Sequence, residues 1–320
     1  MARSSSRSAT RRADSQRPSS SRQIPIGETV TTAFSSVRLE ADRDSAHRIT
    51  LFLDETPSSF IDLADPLNVG FEYLDTMFRV ITTVLPDAGR ILHLGAAGCS
   101  LARALHVALP TAHQIAVDYD AELLTLARKW FDLPRSPALR LRGGDALAEL
   151  ATMQPGSCDA IIRDIFAAGA IPHHVMDQTM VHTALDRLKP GGLYLINSAD
   201  RQPLTLVRRE VATLAWALTE FALEQDLGSF NPYDHLVLVA EPSILKKRRY
   251  GNVVLILHRP SEDHQENPVI EHPTMERQLR SMAVPATVVT GQALRSFVAG
   301  HQPFEPAGTG ALHASNTPGS

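Results

Sequence analysis

Arg90-Ile-Leu-His-Leu-Gly95-Ala-Ala-Gly98-Cys-Ser100 is the stretch from which the fold can be read. A short apolar run ends in a glycine, two alanines and a second glycine, and an Ala/Leu-rich helical pattern follows from Leu101 to Leu109. The reading is a buried strand, a tight turn and a helix N-terminus. Small residues let a ligand approach the backbone, and the first turn of the helix offers free N–H groups. Gly95 and Gly98 lack the third glycine of the dinucleotide fingerprint, so the turn alone does not name a ligand. The next apolar run, Gln114-Ile-Ala-Val-Asp118-Tyr-Asp120, ends in acid. Asp118 stands 118 − 95 = 23 residues after Gly95, close to the spacing at which a carboxylate accepts ribose hydroxyls. Together they predict a nucleoside site of the adenosine type; a purely structural βαβ turn is the plainer alternative.

Outward from this stretch, apolar runs and helical patterns alternate. Strands are expected at 91–94, 114–118, 138–142, 159–164, 192–197, about 235–240 and 252–258. Helices are expected at 100–109, 120–131, 145–152, 175–188 and 203–224. This is the pattern of an α/β, doubly wound, Rossmann-like sheet. Ahead of it, Phe71, Leu74, Met77, Phe78, Ile81 and Val84 repeat with a helical period, and Pro86 ends that helix. Thr29 to Leu63 alternates like β structure, a small antiparallel subdomain. The expected division is a basic disordered tail over 1–26, the β subdomain over 27–65 and the Rossmann-like domain over 66–258. A linker over 259–274, a helical and strand appendage over 275–300 and a disordered tail over 301–320 complete it.

Composition sets bounds. The chain has 320 residues, 43% of them hydrophobic, and a net charge of −4. That is an ordinary globular core with no overall pull toward nucleic acid. Six arginines lie among serines before residue 23, with Asp14 the single acid there, which reads as a solvated tail. Two cysteines, Cys99 and Cys158, fit a reducing, cytoplasmic setting rather than a disulfide framework. No apolar run is long enough for a membrane span.

In open α/β sheets the ligand lies outside the carboxyl ends of the strands. Those ends carry Gly95 to Gly98, Asp118 and Asp120, Gly143-Gly144-Asp145, Asp164, and Asn197 with Asp200. Five carboxylates on one rim repel one another, so a cationic ligand or a reactive role accounts for them. Asp145 and Asp200 also stand where helix N-caps are expected. Cys99 opens a helix and reads as a small packing residue. His173, His174, Asp177 and His182 do not share one helical face, so no metal is expected. Asn231-Pro-Tyr233 resembles a methyltransferase motif but falls after a helix, where a loop is expected. Lys246-Lys-Arg-Arg249 reads as a solvated hairpin corner.

In this order, the β subdomain, Tyr73, the Gly95 turn, Val117-Asp118-Tyr-Asp120, Gly144-Asp145 and Cys158-Asp-Ala-Ile-Ile-Arg-Asp164 resemble the spermidine synthases, the polyamine aminopropyltransferases. The resemblance covers roughly residues 28 to 258, and Leu53-Asp54 looks like a Leu-Asp-Gly turn of that family. It implies a class I S-adenosylmethionine-dependent transferase fold behind a small β domain. It implies decarboxylated S-adenosylmethionine, or S-adenosylmethionine, as co-substrate, an amine acceptor, no metal, and a homodimer as a possible assembly. Gly95, Gly98, Asp118, Asp120, Gly144 and Asp145 would bind the nucleoside part, with Asp164 and Tyr73 as the catalytic pair. The sequence departs from the family at Gly98, Ala167 and Leu74, where the family has Asp, Asp and Gln. Asp200, on the neighbouring strand, is expected to take the amine contact that Ala167 cannot make. The alternatives are a methyltransferase with the same nucleoside site and a non-catalytic binding member.

Overall fold

A computed structural model describes residues 24–167, 169–246 and 249–307 of the chain. The first elements are β1 (Thr29–Thr31), β2 (Ser36–Ala41), β3 (Arg48–Leu53) and β4 (Thr56–Asp62), an antiparallel four-stranded sheet. β3 and β4 are joined by Asp54 and Glu55, both at positive φ, the geometry a tight hairpin requires. α1 (Glu72–Val84) follows, burying Leu74, Met77, Val80 and Ile81 on one face.

The main sheet then builds up through β5 (Arg90–Leu94), α2 (Ser100–Ala108), β6 (His113–Asp118), α3 (Ala121–Phe131), β7 (Leu139–Gly143), α4 (Ala146–Ala151), β8 (Cys158–Arg163), α5 (Gln178–Arg187) and β9 (Leu188–Asp200). α6 (Thr205–Glu224), β10 (Leu236–Ala240), α7 (Pro242–Leu245), β11 (Gly251–His258), α8 (Pro268–Glu271), α9 (Met275–Arg280), β12 (Thr287–Thr290) and α10 (Gly291–Val298) complete it. The eight strands run in the order β12-β10-β11-β9-β8-β5-β6-β7. β9, β8, β5, β6 and β7 are parallel, while β11, β10 and β12 pair antiparallel at the other side. The fold is therefore α/β, a doubly wound sheet behind a small antiparallel one. Its switch point lies between β5 and β8, whose connections leave in opposite directions, and the crevice there is where such sheets take ligands.

Three differences from the sequence reading have physical causes. Thr287–Thr290 is the edge strand of the main sheet, paired with β10, rather than part of a separate appendage. Four residues are too short for a period-2 pattern to declare itself. Residues 301–307 are packed rather than part of a tail. Phe304 is buried under the Arg209 guanidinium, and its carbonyl accepts the Gln178 N–H. At the other end, Ile26 bridges to Leu39 and Ile24 packs on the core. Residues 1–23, most of the expected basic tail, and 308–320 lie outside the described residues, as do Lys247 and Arg248 of the basic cluster.

His93 sits in the middle of β5, buried, with Nε2 2.8 Å from Gln114 Oε1. Burial pushes its pKa from 6.5 down to about 4. The folded protein keeps this ring neutral where the unfolded chain takes a proton, so its contribution is complete above pH 6.5 and is lost as the pH falls toward 4. Urea midpoints are expected to drop between pH 7 and pH 4.5. The drop should be shallower in His93→Gln, and an unchanged slope in that variant would contradict the assignment.

Candidate active site

β8 ends at Arg163, and Asp164 follows with its N–H donating to the Leu94 carbonyl of β5 at 2.8 Å. That bond fixes the acid over the switch point. Oδ2 accepts the Tyr73 hydroxyl at 2.9 Å, and Oδ1 accepts the Asn197 amide at 2.9 Å. Tyr73 comes from the first turn of α1 and Asn197 from β9, so two elements aim one carboxylate. Burial raises the Asp164 pKa, and the bonds from Asn197 and Tyr73 offset only part of that rise. Burial, then the Asp164 charge, pushes the Tyr73 phenol far up, so it stays a donor.

Behind Asp164, Arg163 is wholly buried. It donates to Glu210 of α6 at 2.5 Å and to the carbonyls of Val175 and Asn197. Such a pair is costly to desolvate but severe to break, so it locks the end of β8 against α6.

The Gly95 turn fits the same corner. A Cβ on Gly95 would lie 2.0 Å from the Asp164 carbonyl oxygen, and its φ is +83°. Ala97 and Cys99 also have positive φ, an uncommon conformation for residues with a Cβ and a store of strain typical of binding turns. Asp118 holds the turn. Its Oδ2 accepts Ala96 N–H and Ala97 N–H at 3.0 and 2.9 Å, and its Oδ1 accepts Asp120 N–H at 3.0 Å. Gly144 N–H donates to the Asp118 carbonyl at 3.0 Å, which draws the end of β7 to the same place.

Other expected site residues have structural partners. Gly98 N–H donates to Ser59 Oγ at 2.9 Å, and a Cβ there would lie 2.8 Å from the Ser59 Cβ. The β subdomain thus closes on the turn, and an aspartate at 98 has no room. Asp120 is buried as the N-cap of α3, accepting Leu123 N–H and the hydroxyls of Thr32 and Ser35. Asp145 caps α4 through Ala148 N–H and meets His174 Nε2 at 2.8 Å. Burial opposes its ionisation, but the Ala148 and His174 bonds outweigh that and hold its pKa low. Asp177 caps α5 and His182 packs on the Trp216 ring. Cys99 is a packing residue whose thiol burial pushes up to about 12.

Asp200 corrects the sequence reading. Its Oδ2 accepts the N–H groups of Leu206 and Val207, and its Oδ1 that of Arg201. Oδ2 thus serves the start of α6, whose N-cap residue Leu204 makes no side-chain cap bond, and Oδ1 serves the turn that leads into it. Asn197, Ser59 and the Arg163–Glu210 pair were not singled out as partners in the sequence. An arginine closing the apolar run Ala160-Ile-Ile162, and one asparagine ending Leu193-Tyr-Leu-Ile196, are the signals that pointed to them.

No model of a known protein family matches the chain. A polyamine aminopropyltransferase from Chromobacterium violaceum is 28% identical over 158 residues, 48% of this chain, and the match spans 60% of that relative's length. The crystal structure of a probable spermidine synthase from Corynebacterium glutamicum is 30% identical, with a TM-score of 0.75, over 92% of this chain and 100% of that one. The chain belongs to the spermidine synthase family. Spermidine synthase from Thermotoga maritima shares the fold, with a TM-score of 0.52 at 13% identity over 86% of this chain and 84% of that one. The relatives of this spermidine synthase-family chain are named as transferases. Among the described residues, no helix is long and apolar enough to cross a membrane.

Two outcomes follow from this geometry. An acid with a raised pKa favours folding while it is protonated and loses that contribution as pH rises through its folded pKa. Asp164→Asn should therefore melt higher than the native chain at pH 8, and a lower melting temperature would contradict a desolvated carboxylate. Asp200→Ala should cost about 1 kcal/mol, the worth of a helix cap, read as a lower urea midpoint; an unchanged midpoint would contradict its capping role.

Proposed function

We propose that this protein transfers an aminopropyl group from decarboxylated S-adenosylmethionine to a primary amine. The observation that carries the reading is the Asp164 carboxylate: half-buried, raised in pKa, and held by one donor on each oxygen. An alkylammonium has a pKa near that of lysine, about 10.4, so the acceptor arrives protonated. One lone pair on each Asp164 oxygen remains for it. Asp164 accepts the N–H proton, and the freed nitrogen lone pair attacks the aminopropyl carbon next to the sulfonium. The new C–N bond forms as the C–S bond breaks. The C–S electron pair stays on sulfur, leaving neutral methylthioadenosine. Tyr73 and Asn197 are positioning residues that prevent the carboxylate from turning away. A raised pKa makes Asp164 a better base than a solvated carboxylate.

The nucleoside half of the reading rests on the turn. Asp118 Oδ1 accepts one backbone bond and has lone-pair capacity for a ribose hydroxyl. Tyr119, 63% exposed, stands next to it with Phe34 edge-on at 4.7 Å, a flat surface of the kind on which a base stacks. Gly95 and Gly144 keep the backbone close on either side. Asp120 and Asp145 act here as caps that hold Asp118 and the rim in place. Two buried, unpaired cysteines suit a reducing compartment such as the cytoplasm.

Calorimetry with three ligands tests the reading. Decarboxylated S-adenosylmethionine and methylthioadenosine are expected to bind, and S-adenosylmethionine at least tenfold more weakly than the decarboxylated form, because its carboxylate would approach ionised Asp164. A preference for S-adenosylmethionine would instead mark a methyltransferase. Asp118→Ala is expected to weaken methylthioadenosine at least tenfold, the worth of a charge-assisted hydrogen bond of about 1.5–3 kcal/mol. Unchanged affinity would remove Asp118 from the site.

A further inference from the structure

The segment that leaves Asp164 crosses the rim before α5 begins. Asp164 follows β8, and ten residues on, His174 Nε2 meets the Asp145 carboxylate after β7 at 2.8 Å. β5 and β6 lie between those two strands, so the crossing covers three strand spacings, roughly 14 Å. It passes the ends that carry the Gly95 turn and Asp118. Ile171, Val175 and Met176 share one apolar cluster with Leu94 and Val117, which places the crossing on that face of the sheet. A connecting segment, rather than a strand or a long helix, therefore flanks the nucleoside pocket.

Such a flank needs anchors. Arg163 donates to the Val175 carbonyl from beneath. The His174–Asp145 contact is half-exposed on both sides, and a pair of that kind is a weak tether in water. A further anchor comes from the far end of the chain. The Phe304 N–H donates to Thr213 Oγ1 at 2.9 Å, and its carbonyl accepts the Gln178 N–H at the start of α5 at 3.1 Å. Its buried ring has the Arg209 guanidinium 3.8 Å above it and the His173 ring at right angles, 5.7 Å between centroids. Arg209 also donates to the carbonyls of Gln302 and Pro303.

We infer that residues 302–304 form a strap that sets the nucleoside pocket: Phe304 holds His173 and the start of α5, and thereby holds His174 on Asp145. Phe304 and His174 are then positioning residues for the nucleoside. The inference rests on the nucleoside half of the proposed function and adds to it a segment outside residues 28–258, the stretch that resembles the family. Asp145 shows what the strap protects. Its Oδ1 is tied to Ala148 N–H and its Oδ2 to His174 alone, so loss of His174 leaves the carboxylate one anchor and frees it to turn. Gly144, the residue before it, is the one tied to the Asp118 carbonyl. Movement at Asp145 is therefore felt one residue away, where β7 meets the ribose acid. A strap that merely joined α5 to α6 would contribute to stability and leave ligand affinity alone.

Calorimetry and amide exchange on the full chain, with methylthioadenosine as the probe, separate the two. Phe304→Ala and His174→Ala are each expected to weaken binding about fivefold, in the range of changes that act through a packed network. The double variant should also lose about fivefold rather than about twenty-fivefold, because both residues act on one contact. His174→Gln keeps a side-chain donor for Asp145 and should bind within about twofold of the native chain. Coupling is reciprocal, so in the native chain the ligand should slow hydrogen exchange at the Phe304 and Gln178 amides. That reading decides the matter even where a variant fails to fold. Unchanged affinity in Phe304→Ala, losses that multiply in the double variant, or amide exchange unmoved by bound ligand overturns the inference and leaves the nucleoside site intact. No binding of methylthioadenosine by the native chain overturns both.

Discussion

The structure of this rim depends on holding one partly desolvated carboxylate in place. Asp164 is half-buried at the end of a central strand, and even partial burial of an ionised group is unfavourable unless donors meet it. Tyr73 and Asn197 meet it from opposite sides, the first from α1 and the second from β9. Its backbone is fixed by Leu94, and Gly95 makes the close approach possible because it has no Cβ. The Arg163–Glu210 pair holds the strand end beneath. Loss of any of these would either turn the carboxylate or let water reach it. In both cases its basicity would fall toward that of an ordinary surface acid.

The remaining acids divide between two tasks. Asp120, Asp145 and Asp200 cap α3, α4 and α6, and so build the rim. Asp118 ties the Gly95 turn to β6 and keeps capacity for a ligand. The repulsion expected of five converging carboxylates is thus largely absorbed by helix N-termini, whose N–H groups stabilise negative charge. The small β sheet has a part in this as well. Ser59 of β4 takes the Gly98 N–H, and Thr32 and Ser35 donate to Asp120, so the subdomain braces the turn rather than merely covering it.

Much of this was legible in the sequence. The alternation of apolar runs with 3.6-period patterns placed the parallel strands and the helices between them, because buried parallel strands and amphipathic helices leave strong periodic signals. Gly95, Asp118 and Asp164 are singled out by their places at strand ends and Tyr73 by the family resemblance, and the structure brings the four to one corner. What escaped was pairing. Whether Asp200 serves a helix or a ligand depends on the direction of its carboxyl group, which a sequence does not encode locally. The contacts of Ser59 with Gly98 and of Asn252 with Glu72 join residues 39 and 180 positions apart, and no period or spacing predicts them. That β12 joins the main sheet escaped because its pairing with β10 is long-range, and Phe304 because a Pro/Gly-rich composition hid one apolar anchor.

The most direct measurement follows the mass of the acceptor. Native protein incubated with decarboxylated S-adenosylmethionine and 1,4-diaminobutane should yield the mono-aminopropylated amine and an equal amount of methylthioadenosine. Asp164→Asn should form neither at more than about one hundredth of that rate, the loss typical of a missing general base, while still binding methylthioadenosine. Equal rates in the two proteins would contradict the role given to Asp164, and a methylated product in place of the aminopropylated one would contradict the reaction itself.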